Sequence, residues 1–234
     1  MFDFKNSIIK NYRTWIVIFI LSLIITSEII FKQAWYRMIP LCISTVLMML
    51  QIKANRYCVL INAFNSCLYG IVAISLELYA TAFNSFFVTF PVQLATFFMW
   101  NRKKYKNTTI FKRLSKKQCI SIIILTIIGW GVYIISLNKL DSPYIIIDSA
   151  MNVTGIVAII LSLFTYYEYI YFNLISVTLN VLIYFTLTMN DIAQITFLIL
   201  QAYNFVCSIA MLIFVRKLLV EQKNSIIDLS TRSS

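Results

Sequence analysis

The chain has 234 residues, 60% of them hydrophobic and only 12% charged, with a formal net charge of +11. Soluble domains carry about 25% charged residues, so this composition excludes an ordinary globular protein and points to the bilayer. With no histidine, the commonest general base and metal ligand is missing, and neither catalysis, a cofactor nor a metal site is expected.

From the N-terminus, an arm carrying Lys5, Lys10 and Arg13 leads into a first apolar stretch, Trp15–Ile30. The arm also has Asp3 and the apolar run has no small-residue cleavage site, so the run reads as a retained span. Further stretches follow at Tyr36–Ile52, Tyr57–Leu76, Leu78–Trp100, Cys119–Leu137, Tyr144–Phe164, Tyr169–Met189 and Ile192–Val215. Each has about the 17 to 25 residues that a spanning helix needs. Helices are expected because lipid offers the backbone no hydrogen-bond partner. The prediction is an all-α membrane protein of eight transmembrane helices.

Seventeen of the twenty basic residues fall in alternate gaps, including Lys53 and Arg56 and eight between Arg102 and Lys117. The opposite gaps hold only Lys32, Arg37 and Lys139. Excess positive charge stays inside, which puts both termini in the cytoplasm and makes this a multi-pass protein of the inner membrane. Juxtamembrane basic residues are explained by topology and anionic lipid, so no nucleic acid is expected as a partner. Span counting suggests 3 + 1 + 3 helices after an extra first one. The corresponding segments are 1–35 (arm and extra helix), 36–100 (first unit), 101–140 (basic loop and linker helix), 141–217 (second unit) and 218–234 (cytoplasmic tail). Asn65 and Tyr69 occupy places in the first unit that Asn180 and Tyr184 occupy in the second, a weak sign of a repeat.

Motifs for ATP or dinucleotides are absent, since none of the four glycines forms a phosphate-cradling loop. The spans instead carry amides at mid-depth: Asn62 and Asn65, Asn84 and Gln93, Asn152 with Thr154 nearby, Asn173 and Asn180, and Gln201 and Asn204. A single buried amide is often interhelical glue, but this many at one level predict a wet, polar midplane cavity. Without paired carboxylates in the spans, the solute should be polar, and a coupled ion is not required. Pro91 interrupts the fourth span and should kink it, while Pro40 is expected to occupy only the first turn of the second.

The stretch from Asn62 to Val215 resembles a known family. Leu68-Tyr69-Gly70, then Leu78-Tyr79-Ala80, Asn84, Phe87, Pro91-Val92-Gln93 and Trp100 look like the L-Y-G, L-Y-G, L-N-x-x-Y and P-x-Q-x-x-G-W-x-x-W stretch of the Pnu vitamin transporters. Asp148, Ala158, Leu161 and Tyr166-Tyr167-Glu168 fit its later half. The best-known members of that family carry nicotinamide riboside. The resemblance implies a SWEET-like 3 + 1 + 3 bundle, often a trimer, that passes a small polar, vitamin or nucleoside-like solute by facilitated diffusion. A cytoplasmic kinase would trap the solute by phosphorylating it.

Two departures bear on the solute. The family's E-x-W-x-x-W is here Glu168 followed by Ile170 and Asn173, and Thr96-Phe97 replaces its G-W. Losing two stacking tryptophans removes aromatic contacts worth about 0.5–1.5 kcal/mol each. Carriage of thiamine, riboflavin or a deoxynucleoside therefore stays open beside nicotinamide riboside, as does a substrate-binding membrane subunit that needs an ATP-hydrolysing partner. The candidate solute-binding residues are Asn65, Gln93, Asn173, Asn180 and Asn204 for hydrogen bonding, with Tyr69, Trp100 and Tyr184 as aromatic walls or gates.

Overall fold

The computed structural model describes the backbone of residues 3–32, 34–105, 108–137 and 144–232. The side chains of these segments are described except for 3–13, 104–105, 137, 223 and 225–232. Lys106 and Lys139, which entered the charge pattern, lie outside the described residues.

The apolar stretches fold as helices: α1 (Asp3–Ile30), α2 (Trp35–Ile52), α3 (Arg56–Ser75), α4 (Tyr79–Phe83), α5 (Phe90–Arg102), α6 (Lys116–Leu137), α7 (Ile145–Leu163), α8 (Tyr169–Asn190) and α9 (Ile195–Arg232). Among the described residues, seven helical segments are long and apolar enough to cross a membrane, with Thr14–Ile30 of α1 as a shorter apolar helix. The last helix runs on through the segment expected as a tail, to Arg232.

Between α4 and α5 the chain stays helical but widens into a π-turn, Asn84–Thr89. Pro91, two residues later, has no N–H to donate, and its ring crowds the carbonyl one turn before it. A wider turn accommodates both problems, so the expected kink takes this form. Pro40 sits in the second turn of α2 rather than the first, which corrects its expected placement. Gly70 of α3 faces the π-turn so closely that a Cβ there would lie 2.7 Å from the Phe86 ring.

Helices α2, α3, α4–α5, α7, α8 and α9 pack in a ring, each on the next, closed by contact between α2 and α9. Helix α1 lies outside it against α2 and α9, and α6 lies outside against α7. The ring has a basic end, formed by the α2–α3, α5–α6 and α7–α8 connections, and a far end formed by the others. One apolar cluster fills the far end around Ile24, Leu41, Leu78, Tyr184, Phe197 and Leu200. A second fills the basic end around Trp100, Phe111, Leu161, Tyr169, Ile170 and Val215.

Helices α2, α3 and α7 stop the same way, with Ala54, Glu77 and Thr165 at positive φ (45°, 59° and 65°). After α3, Glu77 N–H donates to Ile74 O (3.1 Å) and Leu78 N–H to Ala73 O (3.0 Å), the paired bonds of a Schellman stop. Glycine usually takes this position, because a Cβ there costs about 1 kcal/mol or more. Glu77→Gly should therefore relieve about 1 kcal/mol of backbone strain. A higher thermal unfolding midpoint in detergent would bear this out.

The basic loop is folded, although the sequence shows only its charge. A two-residue ribbon pairs Lys104–Tyr105 with Thr108–Thr109. Beyond it, Lys112 N–H donates to Thr165 O (2.8 Å) and Tyr167 N–H to Lys112 O (3.0 Å). Gln222 of α9 holds the same strap, accepting from Phe111 N–H (3.2 Å) and donating to Thr109 O (2.9 Å). Glu168 Oε1 accepts from Leu114 N–H (3.0 Å). These bonds place Phe111 against Tyr169 (ring centroids 5.9 Å apart) and Trp100 (5.6 Å).

Candidate solute cavity

A cavity of about 300 Å³ lies inside the ring. It runs from Tyr69, Thr81 and Asn84 in the half nearer the far end to Ala54, Trp100 and Tyr169 at the basic end. A second lobe of about 230 Å³ extends from it toward α2 and α9 and shares the walls Asn62, Tyr69, Asn173, Asn180 and Asn204. Small-molecule sites begin at about this size, about 300 Å³. No charged side chain lines either lobe among the described residues.

The structure brings most of the candidate residues together. Gln93 and Trp100 line the main lobe, Asn65 the second lobe, and Tyr69, Asn173, Asn180 and Asn204 both. Tyr184 lines neither: it is 1% exposed and stacks face to face on Phe197, with centroids 5.2 Å and planes 7° apart. It stands one layer behind Tyr69, whose own ring meets Phe197 edge-on at 6.3 Å. Thr154 is also outside the lining, its hydroxyl turned back onto Ala150 O (2.9 Å) and Met151 O (3.0 Å). Counting residues along a span gives depth but not direction, which is why these two were misplaced.

Thr81, Ser85, Ser176 and Tyr169 line the cavity without having been candidates. Ser85 points inward because the π-turn changes the helical register there. Tyr169 adds an aromatic wall beside Trp100, whose indole N–H is held by Ser162 O at 2.8 Å. Ile170, at one of the two positions where tryptophan is lost, is fully buried and outside the lining, whereas Asn173, at the other, faces the cavity.

The amides are extensively tied to the protein. Asn84 Nδ2 donates to Asn152 Oδ1 (2.8 Å), and Asn152 Nδ2 donates to Asp148 Oδ1 (2.8 Å) and Thr81 Oγ1 (3.0 Å). Asn180 Nδ2 donates to Ser176 O (3.0 Å), Asn65 Nδ2 to Ser44 Oγ (2.8 Å), and Asn173 Nδ2 pairs with Ser208 Oγ (3.2 Å). Gln201 Nε2 reaches Tyr69 OH at 3.2 Å. Gln93 differs in that no hydrogen bond holds its side chain among the described residues, and its Oε1, like the Oδ1 of Asn65, is buried without a partner. A buried amide oxygen left bare costs about 1–3 kcal/mol, so this position is suited to a group that arrives with the solute.

The π-turn beside Pro91 carries Asn84, Ser85 and Thr89 into the cavity. A Pro91→Ala variant is expected to keep solute binding and slow exchange about tenfold, a barrier rise of about 1.4 kcal/mol. Comparing equilibrium binding with exchange rate tests this, and an unchanged rate would mark the break as static.

Residues 34–217 match the nicotinamide mononucleotide transporter family. The fold is similar to a crystal structure of the vitamin B3 transporter PnuC, with a TM-score of 0.67 and 17% identity. That similarity covers 86% of this chain and 92% of the other. No curated protein matches the sequence.

Proposed function

The chain belongs to the nicotinamide mononucleotide transporter family, and from that membership we propose that it carries nicotinamide riboside or a related nucleoside-like vitamin by facilitated diffusion. The observation that carries this reading is the amide-lined cavity inside the helix ring, free of charged side chains among the described residues. Such a lining supports hydrogen bonding to a polar solute. It offers no lysine or arginine to hold a phosphate, which favours the unphosphorylated vitamin over its mononucleotide. It also offers no carboxylate to bind a coupling cation. Net uptake then follows from a cytoplasmic kinase, since the phosphorylated product no longer fits the carrier.

In this reading the basic end faces the cytoplasm of the inner membrane, and the cavity, which reaches Ala54 and Asn55 there, is turned inward. Helices α2 to α5 and α7 to α9 are the two SWEET-like units, α6 the linker and α1 the extra helix. The carrier works as a trimer. Asn65, Gln93, Asn173, Asn180 and Asn204 hydrogen-bond the solute, Tyr69 and Trp100 wall it, and Tyr184 backs the closure at the far end.

Asn173 facing the cavity where family members hold a tryptophan favours one variation on this reading. It exchanges a stacking surface for an amide, which suits thiamine, riboflavin or a deoxynucleoside. The test is exchange of labelled solute across liposomes that contain only the purified protein, with these compounds and nicotinamide riboside as the panel. Saturable exchange of one of them without ATP or an ion gradient is the expected result. Binding without exchange would mean a subunit dependent on an ATP-hydrolysing partner, and no binding would end the carrier reading.

A further inference from the structure

We infer that the cavity is polarised to accept hydrogen bonds, and that Asp148, which does not line it, is the positioning residue that sets this polarity. The inference rests on the carrier reading and concerns what the same cavity selects.

Asp148 of α7 is 1% exposed. Its carboxylate receives the Thr81 hydroxyl at 2.6 Å and the Asn152 amide at 2.8 Å, and it lies near the backbone amides of Ala80 and Thr81. The last two are first-turn N–H groups of α4, whose own N-cap residue, Leu78, has no side-chain acceptor. Asp148 therefore faces the start of α4 from a neighbouring helix and is tied to it through Thr81.

The rest of the chain of bonds has one direction. Thr81 spends its only hydroxyl proton on Asp148, so its oxygen can only accept from Asn152. The Asn152 backbone turn adds a third acceptor for the same amide, Asp148 O at 2.7 Å. With its NH2 committed, Asn152 can offer Asn84 only an oxygen, and Asn84 must answer with its NH2 at 2.8 Å. What Asn84 leaves for the cavity is its carbonyl oxygen, with the Thr89 hydroxyl 3.5 Å away.

Two other amides are fixed the same way by backbone carbonyls, which only accept. Asn180 donates to Ser176 O, and Asn65 donates toward Pro40 O (3.4 Å) as well as Ser44. The Asn65 Oδ1 left over is buried without a partner among the described residues. On three helices the amide NH2 is thus committed to the protein and the oxygen is left to accept, in residues that line a space with no charged side chain among the described residues. Such a site suits a solute that brings hydrogen-bond donors, such as hydroxyls or a carboxamide NH2, or a diffuse positive charge. It disfavours a solute that brings a carboxylate.

Asp148→Asn breaks the direction of the chain, because an amide at 148 donates where the carboxylate accepted. Asn152 and Asn84 are then free to turn over and present NH2 to the cavity. The test uses the full chain in nanodiscs and measures the affinity of nicotinamide riboside and of nicotinic acid riboside, which carries a carboxylate in place of the carboxamide. Wild type should prefer the carboxamide at least tenfold, and Asp148→Asn should shrink that ratio at least tenfold. A purely structural role would weaken both compounds alike, and that result, or equal binding by wild type, overturns the inference.

A second readout needs no solute. In protein labelled with 15N-asparagine, the Asn84 side-chain amide, identified by its loss in Asn84→Ser, should exchange slowly in wild type and at least tenfold faster in Asp148→Asn. If neither riboside binds while Asn84 is protected, the nicotinamide reading fails and the polarity stands. Rapid exchange of Asn84 in wild type overturns the polarity itself, even if Asp148→Asn does not fold.

Discussion

Replacing Gln93 with leucine is expected to abolish measurable transport while leaving the helix bundle intact. Gln93 lies at the wall of the main lobe, 9% exposed, and its Oε1 has no partner among the described residues. Removing it takes nothing from the protein's own hydrogen bonds, so the thermal midpoint should hold or rise slightly. A solute polar group that paired with it would instead be left bare in a buried site. That penalty, about 1–3 kcal/mol, lowers affinity by roughly tenfold to more than a hundredfold. Binding by calorimetry and unfolding by thermal melt, on the same preparation, separate the two effects. A variant that binds normally would remove Gln93 from the site, and one that melts early would make it structural.

The largest effect on stability is expected at the far end, for Arg37→Met. Arg37 of α2 is 6% exposed, donates to Gln194 Oε1 at 2.8 Å and lies 4.9 Å over the Phe197 ring. Glu28 of α1, 1% exposed, carries the opposite charge close enough for the two to attract. Ser27 and Thr196, joined at 2.7 Å, tie α1 to α9 beside this pair. Taking away one member of a buried pair leaves an uncompensated charge and costs about 3–5 kcal/mol. Removing both costs far less, because the desolvation of each ion is relieved together with their attraction. Arg37→Met should therefore melt early, and Glu28→Met combined with Arg37→Met should recover most of the loss. If the double variant melts as early as the single, the pair does more than balance charge.

The spans could be read from the sequence because a helix in lipid must be long and apolar, and chain length at 1.5 Å per residue gives depth directly. Direction around the helix could not be read the same way. These spans are apolar on nearly every side, so nothing in the pattern separates a face toward the ring from one toward lipid. That is why Tyr184 stands behind the cavity wall and Thr154 outside it, whereas Thr81 and Tyr169 line the cavity unannounced. Pro91 marked a break in the fourth span, but not that it takes the form of a π-turn with Phe86 against Gly70. The strap across the basic end was hidden for a similar reason. Its partner, Gln222, is 111 residues from Phe111 along the chain, and no local signal links them.

Asp148 shows how a residue outside the cavity can still govern it. Its position near the start of the sixth span drew attention only through the family resemblance. The bond from Thr81 of α4 and the direction of the amide chain appear once α4 and α7 are side by side.

The most direct test of the central claim, passive carriage of an unphosphorylated solute through a cavity without fixed charge, is a competition in liposomes. Labelled nicotinamide riboside exchanges through the purified protein while excess unlabelled nicotinamide riboside or nicotinamide mononucleotide is added outside. The account predicts that the riboside blocks exchange and the mononucleotide does not, since no lysine or arginine lines either lobe. Equal block by the mononucleotide would contradict it.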